Sequence, residues 1–226
     1  MKNIFKMALA SFAFALIACD DSTSSGGEEE ASIPCEDAAY VNCPALEVPG
    51  TILDSRDCKR YKVATFGTQT WMTQNLNYFS CSIKNESWCY GGDEANCAQY
   101  GRLYTWTAVM GVDKSFQKKY ANLSGPQDGL CPAGFHVPSD AEWQALYDYL
   151  YINGKEDEFA VEFSGEKSFS GYSELGRKAY FWAADEDHSE YGSPRNAIIW
   201  TYLDAFGFGG GSVLKDSGLS LRCVQD

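Results

Sequence analysis

Nine cysteines in a chain of 226 residues constrain this protein more than any other feature of its sequence. Cys19 lies at the end of an N-terminal export segment, which leaves an even set of eight. An even set in an exported protein is typical of disulfide bonds, although eight cysteines can pair in roughly a hundred ways. We expect three local bridges and one long one: Cys35–Cys43, Cys58–Cys81, Cys89–Cys97 and Cys131–Cys223.

A zinc site is the alternative use of these cysteines. Structural zinc sites usually combine closely spaced cysteine pairs with further cysteine or histidine ligands. The sequence contains no Cys-x-x-Cys pair, and its two histidines are His136 and His188. We therefore expect neither a metal ion nor another cofactor.

Residues 1–18 have the features of an export signal. Lys2 and Lys6 precede a short apolar stretch, residues 7–18, which falls well below the roughly 20 residues that a membrane-spanning helix needs. The run from Leu16 to Cys19 resembles a bacterial lipobox, in which the cysteine becomes the first mature residue and carries a lipid. The alternative is an ordinary secretory signal with an incidental cysteine.

Composition divides the rest of the chain into three parts. Residues 19–34 are small, polar and acidic, so we expect a flexible tether. Residues 35–53 form a short segment that a disulfide would close, and residues 54–226 form the main domain. We expect the lipid to place the protein at the outer membrane or cell surface. Asp20 leaves inner-membrane retention open, because an aspartate after the lipidated cysteine has that effect in some bacteria.

The charge of the chain excludes one class of partner. The formal net charge is −13, and the loss of Lys2 and Lys6 with the signal peptide would leave 16 basic side chains against 31 acidic ones. Such a chain repels nucleic acid and anionic membrane surfaces. We therefore expect membrane association only through a lipid on Cys19.

The stretch from Cys131 to Leu150 predicts a loop that runs into a helix. Ser139 and Glu142 have the spacing of a capping box, in which each side chain bonds a free backbone N–H at the helix start. An apolar face then follows at helical spacing: Trp143, Leu146, Tyr147 and Leu150. A second helix is predicted to begin at Asp93 and to continue through Tyr104.

Short strands account for most of the remaining pattern. A hairpin is predicted from residues 60–66 and 68–72, and further strands are predicted at residues 180–184, 197–203 and 219–224. Glycine-rich residues 206–211 predict a flexible turn. Two main helices with short antiparallel strands and no alternating strand–helix rhythm indicate an α+β fold stapled by disulfides.

Candidate binding residues concentrate in one acidic and aromatic region near the predicted strands. Two carboxylates there could cleave a glycoside or several could hold calcium, but a solvated acidic loop is the simpler interpretation. Aromatic rings could stack on sugars, and core packing is the alternative for each of them. The candidates for ligand binding are Asp185, Glu186, Tyr191, Arg195, Trp200 and Tyr202.

Two further residues are interpreted structurally. His136 precedes the central helix, and we expect it to donate to backbone, since no serine or cysteine motif accompanies it. The capping box explains Glu142 without catalysis. We therefore assign no catalytic residue.

Five blocks occur in the order typical of the Fibrobacter succinogenes major paralogous domain: DSRDCKRYKVATFGTQTWMTQNLNY, SWCYGGDEANCAQYGRLYTWTAVM, GLCPAGFHVPSDAEWQAL, AYFWAADE and LSLRCV. The resemblance covers about Asp54 to Asp226 and implies an exported, often lipid-anchored domain. HVPSDAEWQAL also resembles a segment of the formylglycine-generating sulfatase-modifying family, which implies a C-type-lectin-like fold.

Two departures from those more distant families limit what the likeness implies. The oxidase branch of the sulfatase-modifying family binds copper through a pair of late cysteines, whereas Cys223 alone follows Cys131 here. The Glu-Pro-Asn, Gln-Pro-Asp and Trp-Asn-Asp triplets of calcium-dependent lectins do not occur. The expected function is a non-catalytic binding module of the cell envelope for a neutral polysaccharide. The alternatives are an interaction module for envelope proteins and a glycan-acting enzyme.

Overall fold

A computed structural model describes Cys43 and residues 47–186, 194–202 and 205–226, with the side chains of 194–202, 205 and 206 left out. The chain divides into two units, Met1–Pro34 and Cys35–Asp226. The first unit lies outside the described residues, together with the predicted signal peptide and tether. All of the described residues belong to the second unit.

The described residues form an α+β fold, as predicted. The helices are α1 Glu94–Tyr100, α2 Trp106–Met110 and α3 Asp140–Asn153. The strands are β1 Thr51–Leu53, β2 Arg60–Phe66, β3 Gln69–Met72, β4 Ser87–Trp88, β5 Leu103–Tyr104, β6 Phe135–His136, β7 Ser164–Ser168, β8 Gly171–Leu175, β9 Lys178–Glu186, β10 Pro194–Tyr202, β11 Ala205–Ser212 and β12 Val224–Gln225.

The first sheet has the strand order β1-β2-β3-β12-β6, and every pair in it is antiparallel. Its β2–β3 hairpin is the predicted one, and it turns at Gly67, whose φ is +62°. Leu53 in β1 pairs with Arg60 in β2, so the predicted boundary at Asp54 falls between two paired strands.

The second sheet has the order β11-β10-β9-β7-β8, with one parallel pair between β7 and β9. Residues 206–211, predicted to be a flexible turn, lie in β11 instead. The reason is that a strand ladder uses backbone groups, which glycine also has. Pairing from Arg195–Ser212 to Tyr202–Ala205 supplies the long-range contacts that the local composition does not indicate.

The central helix α3 begins as predicted. Ser139 accepts a hydrogen bond from the Glu142 N–H, and the Glu142 side chain accepts from the Ser139 N–H, which completes the capping box. Gly154, with φ +61°, ends the helix. A local signal suffices here because the cap satisfies backbone groups within four residues of each other.

The other predicted helix is interrupted at Gly101. The structure has α1, then β5, then α2 instead of one continuous helix. Gly101 has φ +74° and ψ −173°, which a helix cannot contain. Tyr104 bonds Leu219 through both backbone groups, so a strand pairing across the molecule replaces the helical bonds.

The predicted last strand is also different. Only Val224–Gln225 forms a regular strand, and the preceding residues run as an extended buried segment between the two sheets. The Trp182 N–H donates to the Ser220 carbonyl at 3.1 Å, and the Met72 N–H donates to the Cys223 carbonyl at 2.9 Å. This segment therefore connects both sheets rather than extending one.

Arg222 is the charged centre of that segment and is 0% exposed. Its guanidinium donates to Asn75 Oδ1 at 2.8 Å and to the carbonyls of Phe159 and Ala160 at 2.6 and 2.8 Å. Burial lowers the pKa of Arg222 to about 10, and nearby Glu162 opposes that effect. The hydrogen bonds offset the cost of burying this charge.

Two apolar clusters make up the described core. Four tryptophans predicted to be core residues are buried: Trp71, Trp106, Trp143 and Trp182. The ring of Trp143 lies 4.7 Å from that of Trp71 and 5.1 Å from that of Phe181, so it joins the first sheet, α3 and the second sheet. No helix in the described part of the chain has the length and apolar character to cross a membrane.

Three disulfides are described. Cys131–Cys223 and Cys89–Cys97 are the expected pairs. The third, Cys43–Cys58, shows that the expected pairs Cys35–Cys43 and Cys58–Cys81 are wrong. Cys81 is disulfide-bonded as well, whereas Cys35 lies outside the described residues.

The physical reason for the changed pairing is the β1–β2 hairpin. It returns the chain so that Cys58, in the turn before β2, meets residues upstream of β1. The expected Cys58–Cys81 pair joined the two sides of the predicted β2–β3 hairpin, and the expected Cys35–Cys43 pair closed a short local segment. Strand β1, which brings Cys43 and Cys58 together, is not apparent in the sequence.

Candidate functional site

An open cleft of about 550 Å³ lies beside the start of α3, at the end of β9. Three segments line it: part of the loop at residues 120–127, the residues from His136 to Glu142, and the end of β9 from Ala184 to Glu186. The α3 capping box and the second sheet therefore hold two of its walls in place.

Asp185 lines this cleft with an exposed side chain. Its Oδ2 accepts a hydrogen bond from the backbone N–H of Asp140 at 2.6 Å, at the first residue of α3. A carboxylate at that position is stabilised by the free N–H groups and the dipole of the helix. The structure thus positions Asp185 while leaving it accessible from the cleft.

Glu186 lies in the same cleft wall, but its carboxylate is used by the protein. It accepts from the N–H groups of Ala121 and Asn122 at 3.0 and 3.1 Å, and it forms an ion pair with Lys215. The side chains of Glu186 and Lys215 are 4% and 1% exposed. Glu186 was predicted to bind ligand, whereas its hydrogen bonds hold the loop at residues 120–127 in place.

Lys215 is held from three sides. Its Nζ donates to the Lys119 carbonyl at 2.6 Å and lies 4.4 Å from the centre of the Trp106 ring, in addition to pairing with Glu186. The sequence contains no motif for this contact, because Lys215 is 29 residues away from Glu186. A buried ion pair of this kind orients the cleft wall above it.

His136 links two carboxylates at the opposite wall. Its Nδ1 lies 2.9 Å from Asp226 Oδ1, and its Nε2 lies 2.9 Å from Glu142 Oε1. Burial lowers the pKa of His136, but these two hydrogen bonds outweigh it and raise the pKa above the usual 6.5. His136 was predicted to donate to backbone, whereas both ring nitrogens bond carboxylates.

Glu142 belongs both to the helix cap and to this histidine. Burial raises its pKa, but hydrogen bonds from the N–H and the hydroxyl of Ser139 and from His136 outweigh it, so the pKa lies below the usual 4.5. The Ser139 hydroxyl donates to Glu142 at 2.8 Å rather than approaching His136. The arrangement therefore lacks the serine–histidine contact of an activated nucleophile.

The loop at residues 120–127 supplies apolar surface to the cleft. Tyr120 is 37% exposed, and Leu123 and Pro126 lie with it along the cleft. The Gln127 amide donates to the carbonyls of Ser124 and Gly125 at 3.0 and 3.1 Å, which fixes the turn. From sequence, this loop was not predicted to line a site. Its tyrosine and its Gly-Pro step were the available signals.

The structure separates the remaining predicted ligand residues. Tyr191 lies outside the described residues. In β10, Pro194 pairs with Glu186 at the cleft, so the backbone of the next residue, Arg195, lies near the cleft. Trp200 pairs with Lys178, at the other end of β9. At about 3.3 Å per residue, Lys178 and Glu186 are roughly 26 Å apart along β9. The backbones of Trp200 and Tyr202 therefore lie far from the cleft.

Comparison with known protein families identifies a matching segment of the chain. Residues 64–167 match the model of the Fibrobacter succinogenes major domain. No curated protein and no solved structure is significantly similar to the chain. The matched residues include the end of β2, all of β3, α1, α2 and α3, and the walls of the cleft at residues 120–127 and His136–Glu142. The middle of the chain, residues 64–167, is therefore similar to the Fibrobacter succinogenes major domain.

Proposed function

We propose that this protein is a lipid-anchored binding module of the cell envelope that holds a neutral polysaccharide in the cleft. The observation that carries the proposal is an exposed aromatic ring, Tyr120, in the same open cleft as an exposed and positioned carboxylate, Asp185. Aromatic faces pack against the C–H faces of sugar rings, and carboxylates accept hydrogen bonds from sugar hydroxyls.

The charge of the cleft favours a neutral ligand. Glu142 and Asp185 line it directly, and Asp226 bonds the histidine in its wall. The neighbouring Glu186 is neutralised by Lys215. An anionic sugar would be repelled by the remaining carboxylates, while a neutral one gains hydrogen bonds from them.

The contacts of the titratable groups support binding rather than catalysis. Other groups of the protein form hydrogen bonds with the side chains of Glu142, Glu186 and His136. A glycosidase needs two carboxyl groups that face the scissile bond with different pKa values. We infer further that the α+β architecture is of the C-type-lectin-like and sulfatase-modifying type, which the HVPSDAEWQAL block supports.

The experiment is a binding measurement on the full chain, purified in detergent, with soluble neutral oligosaccharides of several backbone types. Tyr120→Ala should weaken binding about fivefold to tenfold, since one stacked ring contributes about 1 kcal/mol. Tyr120→Phe keeps the ring and should retain most of the affinity. Tyr151→Ala removes a 65% exposed ring on α3, outside the cleft, and serves as the control.

Two results would contradict the proposal. One is a folded protein that binds no member of the panel. The other is an equal loss of affinity in Tyr120→Ala and Tyr151→Ala, which would place binding outside the cleft.

A protein partner is the second candidate, because α3 has an exposed apolar end. Tyr151 and Ile152 are 65% and 78% exposed, and Tyr147 stacks between the rings of Tyr151 and Phe208 at 5.8 and 4.7 Å. Exposed apolar patches of this kind mark protein contacts. A chain that binds no glycan would favour this role.

A further inference from the structure

A second groove, of about 420 Å³, has a different chemical character from the cleft. Phe79, Trp88 and Tyr172 supply aromatic surface, and Lys84 and Arg102 supply positive charge. It shares no lining residue with the acidic cleft. It therefore requires an explanation of its own.

The walls of this groove are held by long-range contacts. Trp88 in β4 pairs with Leu103 in β5, and the Cys89–Cys97 disulfide closes the turn that follows Trp88. Tyr172 in β8 packs against Tyr90 of that turn, with ring centres 5.1 Å apart. A groove with walls fixed in this way loses little conformational entropy when a ligand enters.

Cations lie against two of the aromatic rings. The Arg102 guanidinium carbon is 4.7 Å from the centre of the Phe79 ring, and Lys167 Nζ is 4.2 Å from the centre of the Trp88 ring. Phe79 is nevertheless 39% exposed, so part of its surface is open to a ligand. The groove therefore has aromatic surface and positively charged side chains next to each other.

The local charge is opposite to that of the whole chain. Lys84, Arg102 and Lys167 surround the groove, and Glu94 is the acidic residue in its lining, in a chain with a net charge of −13. Arg102 is paired with Glu94 at 3.1 Å, but the Glu94 side chain is 80% exposed. A solvent-exposed carboxylate is weakly held there, so a ligand carboxylate can take its place.

We propose that this groove binds a sugar residue that carries a single carboxylate, that is, a uronic acid. The ring of the sugar packs on Phe79 and Trp88, and its carboxylate pairs with Arg102 and Lys84. A long polyanion fits less well, because beyond about 8 Å, the Debye length at physiological salt, its charges meet the acidic remainder of the surface. The groove is independent of the neutral-sugar cleft.

The test compares two ligands that differ in one group: an oligosaccharide of neutral sugars with one glucuronic acid, and the same oligosaccharide after reduction of that carboxyl to an alcohol. Binding to the full chain in detergent is followed by calorimetry and by tryptophan fluorescence. The acid should bind about tenfold more tightly than its reduced form, because reduction removes the charged hydrogen bonds of the carboxylate. The difference should shrink as salt rises, since Lys84 is exposed to solvent.

Variants assign the effect to the groove. Lys84→Gln should lower affinity for the acid up to about fivefold and leave the reduced form unaffected. Phe79→Ala should weaken both ligands, because it removes ring surface. Lys155 is a cation outside the groove, with a 37% exposed side chain that pairs with Glu158. Lys155→Gln should therefore change the affinity for neither ligand.

The proposal fails if the acid and its reduced form bind equally. It also fails if Lys84→Gln and Lys155→Gln have the same effect. Loss of acid binding in Tyr120→Ala, with Lys84→Gln unchanged, would place the acid in the cleft and overturn the assignment.

Discussion

Glu186 and Lys215 form the buried ion pair on which one wall of the cleft rests. Both side chains are almost fully buried, and Glu186 also bonds the backbone of Ala121 and Asn122. Removing one partner of such a pair leaves an uncompensated buried charge. The neighbouring Asp185 is exposed, so the two adjacent carboxylates should respond to substitution in different ways.

Glu186→Gln should lower the free energy of unfolding by about 3–5 kcal/mol, since Lys215 keeps its charge without a counterion. Asp185→Asn should lower it by less than about 1 kcal/mol, because the amide oxygen can still accept the Asp140 N–H and only the interaction of the charge with the helix dipole is lost. Urea unfolding of both variants measures the difference. A double variant, Glu186→Gln with Lys215→Met, should recover part of the loss, and equal stability of the two single variants would contradict the buried pair.

His136 and its two carboxylates predict a pH dependence with two limits. The raised pKa of His136 means that its protonated form stabilises the fold below about pH 6.5, and this contribution disappears as pH rises through the raised value. The lowered pKa of Glu142 means that its ionised form contributes above about pH 4.5, and this is lost as pH falls through the lowered value.

The measurement is the difference in unfolding free energy between the parent protein and His136→Gln across that range. The difference should be largest between about pH 4.5 and 6.5, where both groups are charged, and should shrink at higher pH. A difference that does not vary with pH would mean that the imidazole is not charged in the folded protein.

The break between α1 and α2 is the point at which an element depends most on its surroundings. A Cβ at Gly101 would lie 2.7 Å from the Asn75 Cβ and 2.9 Å from the Leu76 carbonyl oxygen. Asn75 in turn bonds Arg222 and the Tyr100 carbonyl. The break therefore lets α1 pack directly on the buried polar network around Arg222.

Gly101→Ala should destabilise the protein through both a positive φ and this steric clash. Gly92→Ala is the matched control, because Gly92 has φ +75° with no atom within 4 Å of the added carbon. The control should cost about 1–2 kcal/mol for the left-handed backbone alone. Gly101→Ala should cost about 1–3 kcal/mol more. Similar thermal unfolding of the two variants would show that the surroundings of Gly101 can yield.

At the scale of the whole molecule, the proposed lipid anchor and the folded domain belong to different parts of the chain. The lipid on Cys19 is a proposal from sequence, and the predicted tether of residues 19–34 would set a reach of roughly 20 Å from the membrane by its random-coil dimensions. If the proposed function is correct, a domain held in this way would meet its ligand without diffusing away from the cell.

Cys19→Ser should move the protein from the membrane fraction to the soluble fraction without changing its thermal transition, because the lipid contributes only to anchoring. Asp20→Ser keeps the lipid and tests sorting: the protein should remain in a membrane fraction. Fractionation of cells followed by immunodetection measures both. Retention of Cys19→Ser in the membrane would rule out the lipid as the anchor.

Local features explain what the sequence by itself determined. The β2–β3 hairpin, the capping box of α3, the Cys131–Cys223 pair and the buried tryptophans were all predicted, and the family was identified from its ordered blocks. Hydrophobic patterning, turn residues and cap spacing act over a few residues, so they are visible in the chain itself. The α+β class followed from the number and order of these elements.

Only the tertiary structure decided the contacts between distant segments. The glycine-rich β11 forms because β10 pairs with it. Cys58 bonds Cys43 because β1 pairs with β2. Glu186 is held in the wall of the cleft because it forms an ion pair with Lys215. The cleft itself joins loop residues near Tyr120 to the end of β9. Each of these depends on a partner far along the chain, and local propensity carries no information about which partner folding will supply.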